Sequence, residues 1–174
     1  MMLALADGWA AQLDRRRLEP LQAPGLQELL DRLDPMAAAA TRLFAAQGAP
    51  PFAFPWAFGT WLLLLRNRSD LLARREEGWQ LLLDPSLRRK LVLPSSPRLV
   101  IELALRQLGL RSADPQALVD PRLPAQLRRL QAHALALDER DGLNLLLSGE
   151  AEAAVVASQR AIPLLQRDPR LDAF

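Results

Sequence analysis

The stretch Lys90 to Gly109, KLVLPSSPRLVIELALRQLG, constrains this chain more than any other. Leu91, Val92 and Leu93 form a short apolar run bounded by Lys90 and Pro94, which suits a strand buried on both faces. Ser96 has the chemistry of an N-cap, because its hydroxyl can accept from free backbone N–H groups of the first helical turn. Pro97 fits the first helical position, where its missing N–H costs nothing. Val100, Ile101, Ala104, Leu105 and Leu108 recur at helical spacing and give one apolar face. Gly109 suits the position just past the helix end. The stretch therefore predicts a strand, a tight loop and a helix. In an open α/β sheet, ligands sit where strands end and helices begin, beside the positive end of the helix dipole. Ser95 and Ser96 are candidate ligand contacts on that ground. The alternative is that Ser96 only caps the helix and Ser95 only shapes the loop.

The layout recurs near the end of the chain. Ala153 to Ala157 is a small, β-compatible run, Ser158 follows it, and a helix is expected from about Gln159 to Arg167. Pro163 must then fall in the first turn or break that helix. Trp61 to Leu65 reads as a further buried strand. Buried strands alternating with helices predict an α/β fold with a parallel or mixed sheet covered on both faces. The sequence holds no repeat of fixed period, no glycine-rich phosphate loop and no metal-spaced cluster.

The remaining segments fill in around this frame. Leu3 to Leu5 reads as the end of a strand, and Trp9 to Arg17 as a short helix. Leu26, Leu29, Leu30 and Leu33 mark an amphipathic helix that stops before Pro35, and Ala37 to Ala46 is strongly helix-forming. Phe54, Trp56 and Phe58 alternate, so they can line one face of an extended segment, either as a wall for a ligand or as ordinary core. Gly78 to Leu83 is expected to be helical, with Trp79, Leu82 and Leu83 inward, and Asp84-Pro85 to stop it. Pro115 and Pro124 suit helix starts, the second helix being lined by Leu127, Leu130, Ala134 and Leu137. Leu143 to Leu147 is expected to be helical, ending at Ser148-Gly149. No terminal element is expected after Asp168-Pro169-Arg170.

Composition narrows the function classes. The 174 residues suit one domain of ordinary size, half hydrophobic and 24% charged, which is globular composition. The formal net charge is only +2, and the arginines are scattered among acids. That argues against a nucleic-acid partner, which favours a basic stripe. There is no cysteine, so disulfides and thiolate chemistry are excluded. No apolar run is long enough to span a membrane. MMLALADGW lacks the basic start and cleavage site of an export signal. The single histidine, His133, has no acid or serine at a useful helical spacing, and Ser95, His133 and Asp138 form no recognisable catalytic motif. No enzyme activity, cofactor or metal is expected.

With these residues in view, the chain resembles the periplasmic substrate-binding proteins of ABC transporters, of the type II two-lobed fold, and within them the spermidine/putrescine-binding group. The most specific match is GWQLLLDPSLRRKLVLPSSPR, Gly78 to Arg98. It shares the family's W-x-x-L, proline, basic pair, apolar strand and loop before a helix, here Trp79, Leu82, Pro85, Arg88-Arg89, Leu91 to Leu93 and Ser95-Ser96. Phe54 to Asn67 is similar to the aromatic segment that crosses between lobes. Ser148-Gly149-Glu150 before Ala153 to Ala157 is similar to the family's strand lead-in, and LALADGWAAQL to the strand and loop whose aromatic residues reach the cleft. The resemblance implies a protein truncated at both ends, with residues 1–53 a remnant of lobe one with connecting helices and residues 54–174 the ligand-binding lobe two. It implies a periplasmic, non-enzymatic, monomeric protein that binds a small polar solute and delivers it to an ABC permease in the membrane. The implied ligand residues are Asp7, Trp9, Trp56, Phe58, Ser95, Ser96 and Ser158. The acidic positions of the polyamine group are Ser96 and Leu99 here, and its later cleft tryptophan falls near Ala157. Two other readings stand beside this one: the effector-sensing domain of a transcription regulator, which shares the two-lobed fold, and a gene remnant that binds nothing.

Overall fold

The computed structural model describes residues 12–43, 45–46, 48–111, 114–138 and 142–174. Two compact units divide the chain, Met1–Phe58 and Gly59–Phe174. The expected strand Leu3–Leu5 lies outside the described residues.

The described part of the first unit is built from short helical turns. Asp14 opens a 3-10 turn over Arg15–Arg17, its carboxylate accepting from the Arg16 N–H at 3.1 Å. Helix α1, Leu26–Asp31, ends before Pro35 as expected and buries none of its residues. The single helix expected over Ala37–Ala46 is instead α2, Pro35–Ala38, followed by a 3-10 turn over Ala39–Arg42. Helix propensity is overridden here by hydrogen bonds from a distant segment. The Thr41 carbonyl accepts from the N–H groups of Phe52 and Ala53 at 2.8 and 2.9 Å. Leu43 then takes a left-handed φ of 48°, which ends any helix.

The second unit carries the sheet. Strands β1 (Trp61–Arg66), β2 (Leu91–Leu93), β3 (Ala134–Leu137), β4 (Ala153–Ala157) and β5 (Leu171–Ala173) line up in the order β3-β2-β4-β1-β5. β2 runs parallel to both β3 and β4. β1 runs antiparallel to β4 and β5, so the sheet is mixed. Alternate residues divide cleanly between two buried layers, as the pleat requires. Leu63, Leu65, Leu91, Leu93, Ala153 and Val155 join one core. Leu64, Val92, Ala154 and Val156 join the other. Helices α4 (Pro97–Gln107) and α5 (Leu123–His133), with the 3-10 segment Arg75–Leu83, pack into the first core. Helices α6 (Gly142–Ser148) and α7 (Ser158–Leu165) cover the second. A short helix α3, Ser69–Leu72, follows β1. The α/β architecture with helices on both faces is thus as the sequence predicts.

Local chemistry sets most of the boundaries. Ser96 holds the N-cap position of α4, although its hydroxyl does not make the capping hydrogen bond. Gly109 closes α4 at φ 72°. The Leu110 N–H reaches the Leu105 carbonyl at 2.9 Å and the Gly109 N–H the Arg106 carbonyl at 3.0 Å, the paired bonds of a Schellman end. Asp84-Pro85 and Asp114-Pro115 each open a 3-10 turn, the aspartate accepting from the N–H two residues on.

Three further expectations are corrected. Ala134 and Leu137 do not line a helix but form β3. The His133 carbonyl is taken by the Arg89 N–H at 2.7 Å, and the ALAL run then pairs with β2, so strand pairing overrides a helical spacing that these residues also fit. Pro163 neither falls in the first turn of α7 nor breaks it. It lies inside the helix, and the hydrogen bond it removes is one to the exposed first turn at Gln159. Finally, the chain does have a terminal element. Leu171–Ala173 pairs with β1 as β5, an order imposed by the partner strand rather than by any apolar run.

Candidate functional site

A pocket of about 230 Å³ lies beyond the carboxyl ends of the parallel strands. Its position follows from topology. The chain leaves β2 for β3 on one side, then returns through α6 to β4 on the other. Adjacent connections therefore diverge at β2, and a crevice opens between them, where open α/β sheets bind ligands. Val92, Ala154 and Val156 supply an apolar floor from the sheet, and Leu143 an apolar wall from α6. Gly142 lets α6 sit directly on β2: a β-carbon there would come within 2.5 Å of Val92 Cγ1. Trp61 and Ala157, opposed in the antiparallel pair β1–β4, form the rim on the other side.

The polar lining is small and comes from three elements. Asp138 follows β3 and is anchored by its N–H to the Leu93 carbonyl at 2.8 Å. Gln159 and Arg160 stand in the first turn of α7. Helix N-termini favour anionic groups. Ser158 opens the same helix, but its polar groups hold the chain rather than the pocket. Its hydroxyl accepts from the Thr60 N–H at 3.2 Å, and its own N–H donates to the Thr60 carbonyl at 2.8 Å. Gly59 lies under the Gln159 side chain, where a β-carbon would meet Oε1 at 2.8 Å.

The residues singled out in the sequence are dispersed. Asp7 and Trp9 lie outside the described residues. Trp56 and Phe58 belong to the first unit and are 78% and 76% exposed, so neither is core. Ser95 is exposed and Ser96 half-buried at the start of α4, and neither lines the pocket. Ser158 is flanked by two lining residues without being one. Sequence reasoning missed Trp61, Asp138, Gln159 and Arg160 as a group. A signal for two of them was present, since Gln159 and Arg160 directly follow the strand–serine join. Ser95, His133 and Asp138 form no triad: His133 and Asp138 bracket β3 at opposite ends, and the His133 ring is held 2.8 Å from the Asp84 carbonyl oxygen. No cluster of three or more metal-ligating side chains occurs among the described residues, and no helix among them is long and apolar enough to cross a membrane.

The opposite edge of the sheet is closed by charge. Arg68 bridges Asp70 and Glu152, at 2.7 Å each, and donates to the Ser86 hydroxyl at 2.6 Å. Lys90 also pairs with Glu152. Arg74 joins Glu77 and Asp84 at 2.7 and 2.6 Å. Hydrogen bonding from Arg68 pulls the Asp70 carboxyl down to about 2. For Glu152, burial favours the neutral acid, yet the hydrogen bonds from Lys90 and Arg68 outweigh it and hold the group below its ordinary value. Asp84 is lowered by the Ser86 hydroxyl and by Arg74.

No protein-family model and no curated protein matches the chain. Solved structures do share its fold. The spermidine/putrescine ABC transporter substrate-binding protein PotD of Streptococcus pneumoniae matches with a TM-score of 0.69 at 18% identity, over 96% of this chain and 50% of that one. The TpPotD lipoprotein of Treponema pallidum matches with a TM-score of 0.67 at 14% identity, over 95% and 51%. The PBP AgtB of A. tumefaciens, solved in complex with agropinic acid, matches with a TM-score of 0.55 at 18% identity, over 96% and 48%. The chain spans about half the length of these proteins, and its five-stranded mixed sheet corresponds to about one lobe of the type II binding-protein fold.

Proposed function

We propose that this chain is a solute-binding component of an ABC transporter, which takes a small polar ligand in the pocket beyond β2, β3 and β4 for delivery to a membrane permease. The observation that supports this reading is the position of the pocket, at the strand-order reversal of a fold whose solved examples include ABC substrate-binding proteins. In this reading residues 54–174 are the ligand-binding lobe, residues 1–53 belong to the other lobe, and the protein works in the periplasm. In this reading Asp7, Trp9, Trp56, Phe58, Ser95 and Ser96 are candidate solute contacts beyond the pocket lining, and Ser158 positions the helix that carries Gln159 and Arg160.

The test is a thermal melt of the chain, alone and with polyamines, amino acids and small anions. A ligand at about a hundred times its dissociation constant adds about 2.7 kcal/mol of stability, seen as a rise of several degrees in Tm. A rise with one ligand class supports the reading. A cooperative melt that no class moves sinks it, and leaves a folded chain without a solute.

A further inference from the structure

The amino edge of the sheet carries cations that its closed network does not use. Arg89 is their fixed point. Its N–H donates to the His133 carbonyl at 2.7 Å, and its Nη1 to the Ala134 carbonyl at 3.2 Å. The turn through Arg88, Arg89 and Lys90 therefore sits against the carboxyl end of α5. Arg129 lies one turn before His133 on that helix, and side chains four apart are neighbours. Arg128 stands next to it. Arg88, Arg89, Arg128 and Arg129 are all exposed. Among the described residues, Arg88, Arg128 and Arg129 form no ion pair and no side-chain hydrogen bond. The acids of the adjoining segments are already bonded, Asp84 to Arg74 and Ser86, and Glu152 to Arg68 and Lys90.

A helix carboxyl end favours a cation, which accounts for Arg89, but the effect fades beyond the last turn. It does not account for Arg128 and Arg129, which precede that turn. Cations gathered in this way repel one another, a cost that an anionic surface removes. What the patch lacks decides the partner. Protein interfaces are anchored by aromatic and other large side chains. The exposed large apolar residues of the second unit are Leu118, Val119, Leu137 and Ile162. Leu118 and Val119 precede α5 and Leu137 ends β3, so these three lie toward the carboxyl edge, while Ile162 belongs to α7 over the other core. Cations without an apolar anchor suit a layer of anionic headgroups, which charge alone can bind.

We propose that Arg88, Arg89, Arg128 and Arg129 dock this end of the second unit on the anionic headgroups of a lipid bilayer. The pocket, at the opposite edge of the sheet, then faces away from the bilayer. The inference does not depend on the solute-binding reading.

The experiment is co-sedimentation of the full chain with vesicles of phosphatidylglycerol and phosphatidylcholine in equal parts, and with vesicles of phosphatidylcholine alone. Binding is expected to the first and not to the second. It should weaken as salt shortens the Debye length from about 10 Å at 0.1 M to about 3 Å at 1 M. Arg88→Gln, Arg128→Gln and Arg129→Gln are each expected to weaken binding about fivefold, the factor for one basic residue at such a surface, and the triple variant to lose it. A vesicle-free melt of each variant shows that it is folded. Arg122→Gln removes the same charge at the other end of α5 and should leave binding nearly unchanged. No binding to the anionic vesicles at low salt overturns the proposal. So does a folded triple variant that binds as the parent does. A loss in Arg122→Gln equal to that in Arg129→Gln makes net charge the cause and overturns the patch. Duplex DNA or poly-L-glutamate bound more tightly than the vesicles gives the arginines a different partner and overturns the bilayer.

Discussion

The two edges of the sheet in the second unit are made from the same strands and do opposite things. At the amino ends of β2, β3 and β4, Arg68, Glu152, Lys90, Asp70 and Ser86 knit the chain together, and the His133 ring docks on the Asp84 carbonyl. At the carboxyl ends, the polar residues surround a pocket of about 230 Å³. The difference follows from topology. The connections after the parallel strands β2, β3 and β4 place their helix N-termini at the carboxyl edge, so an opening at that edge meets helix dipoles and first-turn side chains. The other edge has no such task, and paired charges can close it.

Substitutions at either edge need a reference in the sheet between them. Leu63 is fully buried in β1. Leu63→Ala is expected to lose about 2–5 kcal/mol in chemical denaturation and to weaken both edges together. A loss well under 1 kcal/mol would show that the sheet is not the common support of the two.

Next come two substitutions of similar size with different consequences. Glu152→Gln removes the carboxylate shared by Arg68 and Lys90, and with Arg68 only 12% exposed it should cost about 1–3 kcal/mol. Its effect on ligand affinity should be nil. Gly142→Ala drives a methyl group into Val92 and is expected to cost about 1–3 kcal/mol, with ligand affinity falling as well because Val92 is pocket floor. If Glu152→Gln weakened the ligand as much as Gly142→Ala did, the two edges would not be separate in function.

Acid should weaken the amino edge. The folded Glu152 carboxyl titrates below its ordinary value of 4.5. Its contribution to stability is therefore fully present above that value and is lost as pH falls through it toward the lower folded value. Tm is expected to fall as the pH drops below about 4.5, and to fall less steeply in Glu152→Gln. Asp70 is largely exposed, so solvent screening leaves it a minor share of that slope. Parallel slopes in the two proteins would remove Glu152 from the account.

The smallest effect is expected at Ser158. Ser158→Ala loses the hydrogen bond from the Thr60 N–H, worth about 0.5–1.5 kcal/mol, and should change Tm more than it changes ligand affinity. A loss of affinity out of proportion to stability would instead make the hydroxyl a ligand contact.

Much of the fold was legible because it rests on near neighbours in sequence. The strand–loop–helix of Leu91 to Gln107, its glycine end and the buried run of Ala153 to Ala157 all appear where residue type and spacing put them. β5 was not legible, since Leu-Asp-Ala carries no strand signal and is ordered by β1. The helical spacing of Leu130, Ala134 and Leu137 misled, because it fits two structures and only pairing with β2 chooses between them. For the site, the general place was legible and the side chains were not. The strand–serine–helix join points to the carboxyl edge, yet the serine there is spent on Thr60, and the residues after it line the pocket.

What the sequence determined by itself is therefore most of the elements, their glycine and proline boundaries and the two buried layers, all governed by relations within about four residues. What only the tertiary structure decided is which distant residues meet. Trp61 stands opposite Ala157, Arg68 finds Glu152 84 residues away, and Asp138 shares a pocket with Arg160. Those pairings depend on strand order and register, which are set by packing the whole sheet at once and leave no local mark on the chain.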